Sequence, residues 1–74
     1  MLANLQTEME RHGVTNRDIA RLLGKTERTV RDKISGRFDF SVSEAKRIRD
    51  AFFPNVRIEY LFAFDAKKRH DAPS

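Results

Sequence analysis

Arg28, Arg31 and Ser35 recur at the three- and four-residue spacing that gathers side chains on one face of a helix. At about 100° per residue they point roughly a third of a turn away from Val30 and Ile34, the two clearly apolar residues of the same stretch. A helix divided this way is held to a body by one edge and offers a cationic, hydrogen-bonding edge to a groove. Other chemistry is harder to find. There is no Ser-His-Asp or Cys-His arrangement and no glycine-rich phosphate loop. His12 and His70 have no partners at metal-ligand spacing. The expectation is therefore a binding module: no enzyme, no metal and no cofactor.

Composition narrows the partners only slightly. The 74 residues carry 15 Lys and Arg against 11 Asp and Glu, a formal charge of +4. That balance favours polyanions, nucleic acid or an acidic membrane face. No apolar run approaches the roughly 20 residues that span a bilayer, and the N-terminus lacks a basic-then-apolar signal pattern. With no cysteine there is no disulfide framework, which suits a reducing compartment. A soluble, cytoplasmic chain without membrane partners is the expectation. A single domain this small buries only about 60% of the surface its unfolded chain exposes, so each apolar residue counts.

The elements that must position the cationic face follow from apolar periodicity and punctuation. Leu2, Leu5 and Met9 mark a first helix that stops at His12-Gly13. Thr15 caps a second, with Asp18 three residues on, Ile19, Ala20, Leu22 and Leu23 as its buried face, and Gly24 as its left-handed end. Thr26 caps the third, from Glu27 to Ser35-Gly36. Phe38 and Phe40 in the following loop are too apolar to leave wet and are expected to plug the core. Ser41-Val42-Ser43-Glu44 is a capping box opening a fourth helix, with Val42, Ala45, Ile48 and Phe52 on one stripe, and Pro54 ends it at Phe53. Ile58, Tyr60, Leu61 and Phe62 predict a short fifth helix. Alternation of period two is nowhere sustained, so the chain reads as all-α, with a domain over 1–64 and a polar, frayed tail over 65–74.

The spacing from Asn16 to Gly36 resembles the helix-turn-helix of the lambda-repressor and Cro-like (XRE-type) family. Ala20 matches the small residue where the second helix crosses the first. Gly24 matches the glycine of a turn too tight for a side chain, and Val30 the β-branched anchor. Lys33-Ile34 with Gly36, the Phe38-x-Phe40 loop and the Glu44-Ala45 opening resemble small phage- and mobile-element-type members, over roughly residues 2 to 62. Two positions depart from the pattern. Lys25 and Lys33 stand where the family has apolar residues, and Ile34 takes the core role one residue late, which predicts a third helix rotated slightly about its axis.

The resemblance implies a compact five-helix domain that binds double-stranded DNA and regulates transcription, as a repressor in the first instance. By position it assigns base-edge contacts to Glu27, Arg28, Arg31 and Asp32. Arginine grips guanine O6 and N7 with two parallel hydrogen bonds, worth about 1–3 kcal/mol of discrimination. Glu27 either accepts from cytosine N4 or complements the positive end of the helix dipole. Asp32 either reads a base or pairs with Arg28, four residues away. Phosphate contacts fall to Asn16 at a helix start, with Arg17, Lys25, Thr26, Ser35 and Arg37 around it. Arg21, Lys46, Arg47 and Arg49 read as solvated.

Family members bind inverted-repeat operators as homodimers, and Phe64 is a candidate dimer contact. The 74 residues leave no length for a sensor half, so control is expected through concentration, a protein partner or proteolysis. The rival reading is a protein-interaction module, an antirepressor or adaptor that keeps the fold and no longer reads DNA.

Overall fold

The computed structural model describes residues 1–63; the expected tail, Phe64 and His70 lie outside the described residues. Five helices follow one another: α1 (Ala3–His12), α2 (Asn16–Leu23), α3 (Glu27–Ser35), α4 (Val42–Phe52) and α5 (Ile58–Leu61). No strand occurs among the described residues. No helix there is long and apolar enough to cross a membrane.

Local chemistry explains the boundaries. Thr15 and Ser41 each accept the amide three residues on, while Asp18 and Glu44 reach back to the amides of Thr15 and Ser41. Each box satisfies two helix-end donors that would otherwise lack partners. α1, α2 and α3 all end on a glycine in the left-handed region, at Gly13, Gly24 and Gly36. At Gly24 an added Cβ would meet nothing within 4 Å. The expected crowding is therefore absent. The positive φ of 69° alone makes glycine the favoured residue there.

All five helices feed one core. Leu5, Ile19, Val30, Ile48, Phe53 and Leu61 are fully buried, and Leu2, Met9, Ala20 and Ile34 nearly so. α2 packs most extensively against α3, and α4 packs against α2 and α5. The chain ends of the core are tied by polar bonds. The Leu2 amide donates to the Ile34 carbonyl at 2.9 Å, so the start of α1 closes the end of α3. Asn4 Nδ2 donates to the Tyr60 carbonyl at 2.9 Å, and Tyr60 donates its hydroxyl to buried Glu8 at 3.1 Å. These two bonds fasten α5 to α1.

Three apolar residues sit differently from their sequence pattern. Val42 is 73% exposed, because as the first residue of α4 it projects beyond the elements that cover Ala45 and Ile48. Phe52 is only half-buried, and the core place at this end goes to Phe53, just past the helix. Pro54 forces Phe53 out of helical geometry, to φ −133° and ψ 55°, and that swing carries its ring inward against the edge of His12. Phe38 is 54% exposed, whereas Phe40 packs edge-on against Phe62. The amides of Arg37 and Phe38 both donate to the Asp32 carbonyl, which holds Phe38 in the turn and away from the core.

These positions separate in stability. Phe53→Ala should cost about 3–5 kcal/mol, enough to unfold most of so small a domain. Val42→Ser, on the same helical stripe by sequence, should change stability by no more than about 0.5 kcal/mol. Urea unfolding followed by circular dichroism checks both.

Candidate nucleic-acid interface

α3 is the least apolar of the longer helices. Val30 and Ile34 fix one side of it in the core. Glu27, Arg28, Arg31 and Ser35 are exposed, and Asp32 is half-exposed. Ile34, not Lys33, fills the core position, as the offset in the sequence implies. Lys33 instead turns to α4: its Nζ donates to Glu44 Oε1 at 2.8 Å, with both side chains about one-sixth exposed at 16% and 15%. The same ammonium lies 5.7 Å from the centre of the Phe40 ring. An ion pair thus does the anchoring that an apolar residue would do, and it leaves the outer face of α3 untouched.

Glu44 is the hinge of that anchorage. Oε1 accepts from Lys33 and also from the Ser41 amide at 2.9 Å. The Lys33 hydrogen bond, then the Ser41 amide, hold its carboxyl below the ordinary 4.5 against the opposing effect of burial. Asp18 is lowered in the same direction by the amide and then the hydroxyl of Thr15, so the box that starts α2 is built on a carboxylate.

The connection from α2 to α3 is short. Lys25 donates its amide to the Ala20 carbonyl at 2.9 Å, and Thr26 caps the next helix by accepting the Thr29 amide at 3.2 Å. The Thr26 hydroxyl proton goes to Thr29 Oγ1 at 3.0 Å. Ser35 likewise donates its hydroxyl to the Asp32 carbonyl at 2.9 Å. Both candidate phosphate ligands therefore already use their hydroxyl protons inside the helix. Asn16 opens α2 half-exposed, in the first turn, where amides lack an intrahelical acceptor.

The cations divide into two groups. Arg28, Arg31, Lys25 and Arg37 are exposed and make no ion pair with any described residue; Arg37 lies over the Phe38 ring at 5.7 Å. Arg17 and Glu27 are brought together, Nε to Oε2 at 3.2 Å, joining the first turns of α2 and α3. The alternative role for Asp32 is not met, because its carboxylate makes no ion pair with Arg28.

Of the four cations expected to be solvated, Arg21 and Lys46 are exposed. Arg47 has a structural task, donating from Nη2 to the Leu22 carbonyl at 3.0 Å and so satisfying an acceptor at the end of α2. Arg49 is half-buried; Asp50 approaches its Nε to 2.7 Å, but out of line for a hydrogen bond, leaving a contact of charge alone. No sequence signal marks Arg47, since its acceptor lies 25 residues away. Among the described residues no group of three acidic, histidine or cysteine side chains could hold a metal ion.

Removing the Glu44 charge tests the anchorage. Glu44→Gln should cost about 1.5–3 kcal/mol at neutral pH, the range for a hydrogen bond to a charged group. Because the folded-state value lies below the unfolded one, the carboxylate's contribution is complete above pH 4.5 and drains away as pH falls through the lower folded value. The parent domain should lose stability faster than Glu44→Gln in that acid range, as measured by urea midpoints across pH.

Compared with known protein families, curated proteins and solved structures, this chain matches none.

Proposed function

We propose that this domain is a sequence-specific, double-stranded DNA-binding regulator of transcription, a repressor acting by occupancy of its site. In this reading α2 and α3 form a helix-turn-helix of the lambda-repressor and Cro-like kind, and α3 enters the major groove. The observation that carries it is the state of Arg28 and Arg31. They stand exposed on α3, about a third of a turn from its anchors, with no acidic partner among the described residues.

An ordinary solvated helix of a domain with 11 acidic residues has many chances to neutralise its arginines. Leaving them unpaired preserves their forks for an external acceptor. Guanine O6 and N7 match that fork in the major groove. Lys25 and Arg37, exposed at the two ends of α3, suit phosphates on either side, and the open amides of the first turn of α2 suit another. Phosphate contacts would supply most of the affinity and make it steeply dependent on salt. The short recognition surface of one domain reads only a few base pairs, so a homodimer on an inverted repeat is the expected bound form.

A second reading draws on a different observation. Val42, largely exposed, lines an open groove with Leu2, Phe40, Ala45 and Phe62 and with the polar Lys33, Asp39 and Ser41, and Phe38 is exposed as well. Exposed apolar surface of this kind suits a protein partner, as in an adaptor or antirepressor.

Selection of bound duplexes from a randomised pool at physiological salt separates the two. The DNA reading expects an inverted repeat with half-site centres about 34 Å apart, lost in Arg28→Ala/Arg31→Ala. The same double substitution should leave stability within about 0.5 kcal/mol, since neither side chain is buried or paired. A pool that stays random, with binding that merely collapses as salt rises, would reject sequence-specific recognition and favour the protein-partner reading.

A further inference from the structure

The Arg17–Glu27 contact is the only ionic link between α2 and α3 among the described residues. The fold has little need of it. Both side chains are open to water, at 67% and 47% exposure, and an exposed pair contributes little to stability. The two helices are already joined by their apolar faces. Its position is more informative than its strength. Glu27 is the first residue of α3, and Arg17 the second of α2.

The bond uses only part of each group. Nε of Arg17 donates to Oε2 of Glu27, which leaves both Nη groups as donors and Oε1 as an acceptor. We propose that Arg17 is a positioning residue for Glu27. It fixes and neutralises the carboxylate so that Oε1 can accept from an amino group on a base edge, cytosine N4 above all, while the Nη groups of Arg17 face the neighbouring phosphate. The proposal rests on the DNA-binding reading and assigns a specificity unit within it.

Electrostatics supplies the reason. A bare carboxylate brought among phosphates is repelled, and the repulsion grows as docking expels water and lowers the local dielectric. A paired carboxylate meets much less of it. The pairing also distinguishes the two acidic candidates on α3. Glu27 has its counter-ion in place, whereas Asp32 has none among the described residues. Glu27 is accordingly the acid equipped to enter the groove.

The arrangement has a signature that a simple phosphate contact lacks. If Arg17 acts through Glu27, removing the arginine damages recognition at the base that Glu27 reads and leaves the bases read by Arg28 and Arg31 alone. If Arg17 only binds phosphate, its loss weakens all sequences alike and reduces the salt slope by about one.

The test is selection from a randomised duplex pool with the full chain and with Arg17→Ala, Arg17→Lys, Glu27→Gln and Arg17→Ala/Glu27→Gln, followed by titration of the selected duplex. Arg17→Ala and Glu27→Gln should each lose preference at the same single base position, and Arg17→Lys should restore part of it. The penalty of Arg17→Ala should be at least about fivefold smaller in the Glu27→Gln background than in the parent, the non-additivity of a coupled pair. A parent that selects a motif which Arg17→Ala weakens uniformly, with additive penalties, overturns the proposal and leaves the DNA-binding reading standing. A parent that selects no motif overturns both.

Discussion

Val30 and Ile34 are the constraint on which the rest of this molecule depends. They are the only apolar side chains of α3, and both are buried in the core shared by all five helices. A helix with so narrow an apolar edge has little stability alone, since short isolated helices are marginal in water. It persists because the core accepts that edge and because its ends are closed by other elements. Thr26 caps one end, and the amide of Leu2, from the far end of the sequence, bonds the Ile34 carbonyl at the other. Everything else on α3 is then released from structural duty. Its outward face can be chosen for chemistry without cost to folding.

Electrostatics completes the division of labour. Lys33, on the flank of α3 toward α4, is committed to Glu44 beside the Phe40 ring. The Lys33 hydrogen bond, and then the Ser41 amide, hold that carboxyl below its ordinary value although burial opposes them. Arg47 is committed to the end of α2. Arg28 and Arg31 are committed to nothing among the described residues. The cations of this chain therefore fall into anchors and free donors, although composition counts them alike. Net charge of +4 is a poor guide to such a surface; the state of each guanidinium is a better one.

α5 shows the same economy in a smaller element. Four residues cannot hold a helix by hydrogen bonding alone. Leu61 is buried in the core, Asn4 reaches the Tyr60 carbonyl, and the Tyr60 hydroxyl donates to Glu8. Burial first, and then the Glu8 hydrogen bond, raise the Tyr60 hydroxyl above its ordinary pKa of 10.0, so it stays a donor through the physiological range. Glu8 lies on the edge of the apolar stripe of α1, three residues past Leu5. Only the arrival of α5 converts that position from a polar residue at a seam into a buried acceptor.

Much of this was legible from sequence because it is local. Caps act over three residues, glycine terminators over one, and helix faces over one or two turns, so Thr15, Thr26, Ser41, Gly24 and Pro54 mark their boundaries without knowledge of the fold. The same reasoning places Val30 and Ile34 inside and Arg28 and Arg31 outside, since a helix's own period decides which side chains share a face. What spacing could not decide was what stands opposite each face. Val42 and Phe38 are apolar and lie where a core residue could lie, yet no element among the described residues covers them; Phe53 lies beyond its helix and is completely enclosed. Lys33 with Glu44, Arg47 with Leu22, and Arg17 with Glu27 are contacts across 11, 25 and 10 residues. A sequence determines the period and punctuation of each helix because those are short-range sterics and hydrogen bonding. Which charges are spent and which remain free is decided only when the helices pack, because a partner for a long, flexible side chain is set by three-dimensional proximity.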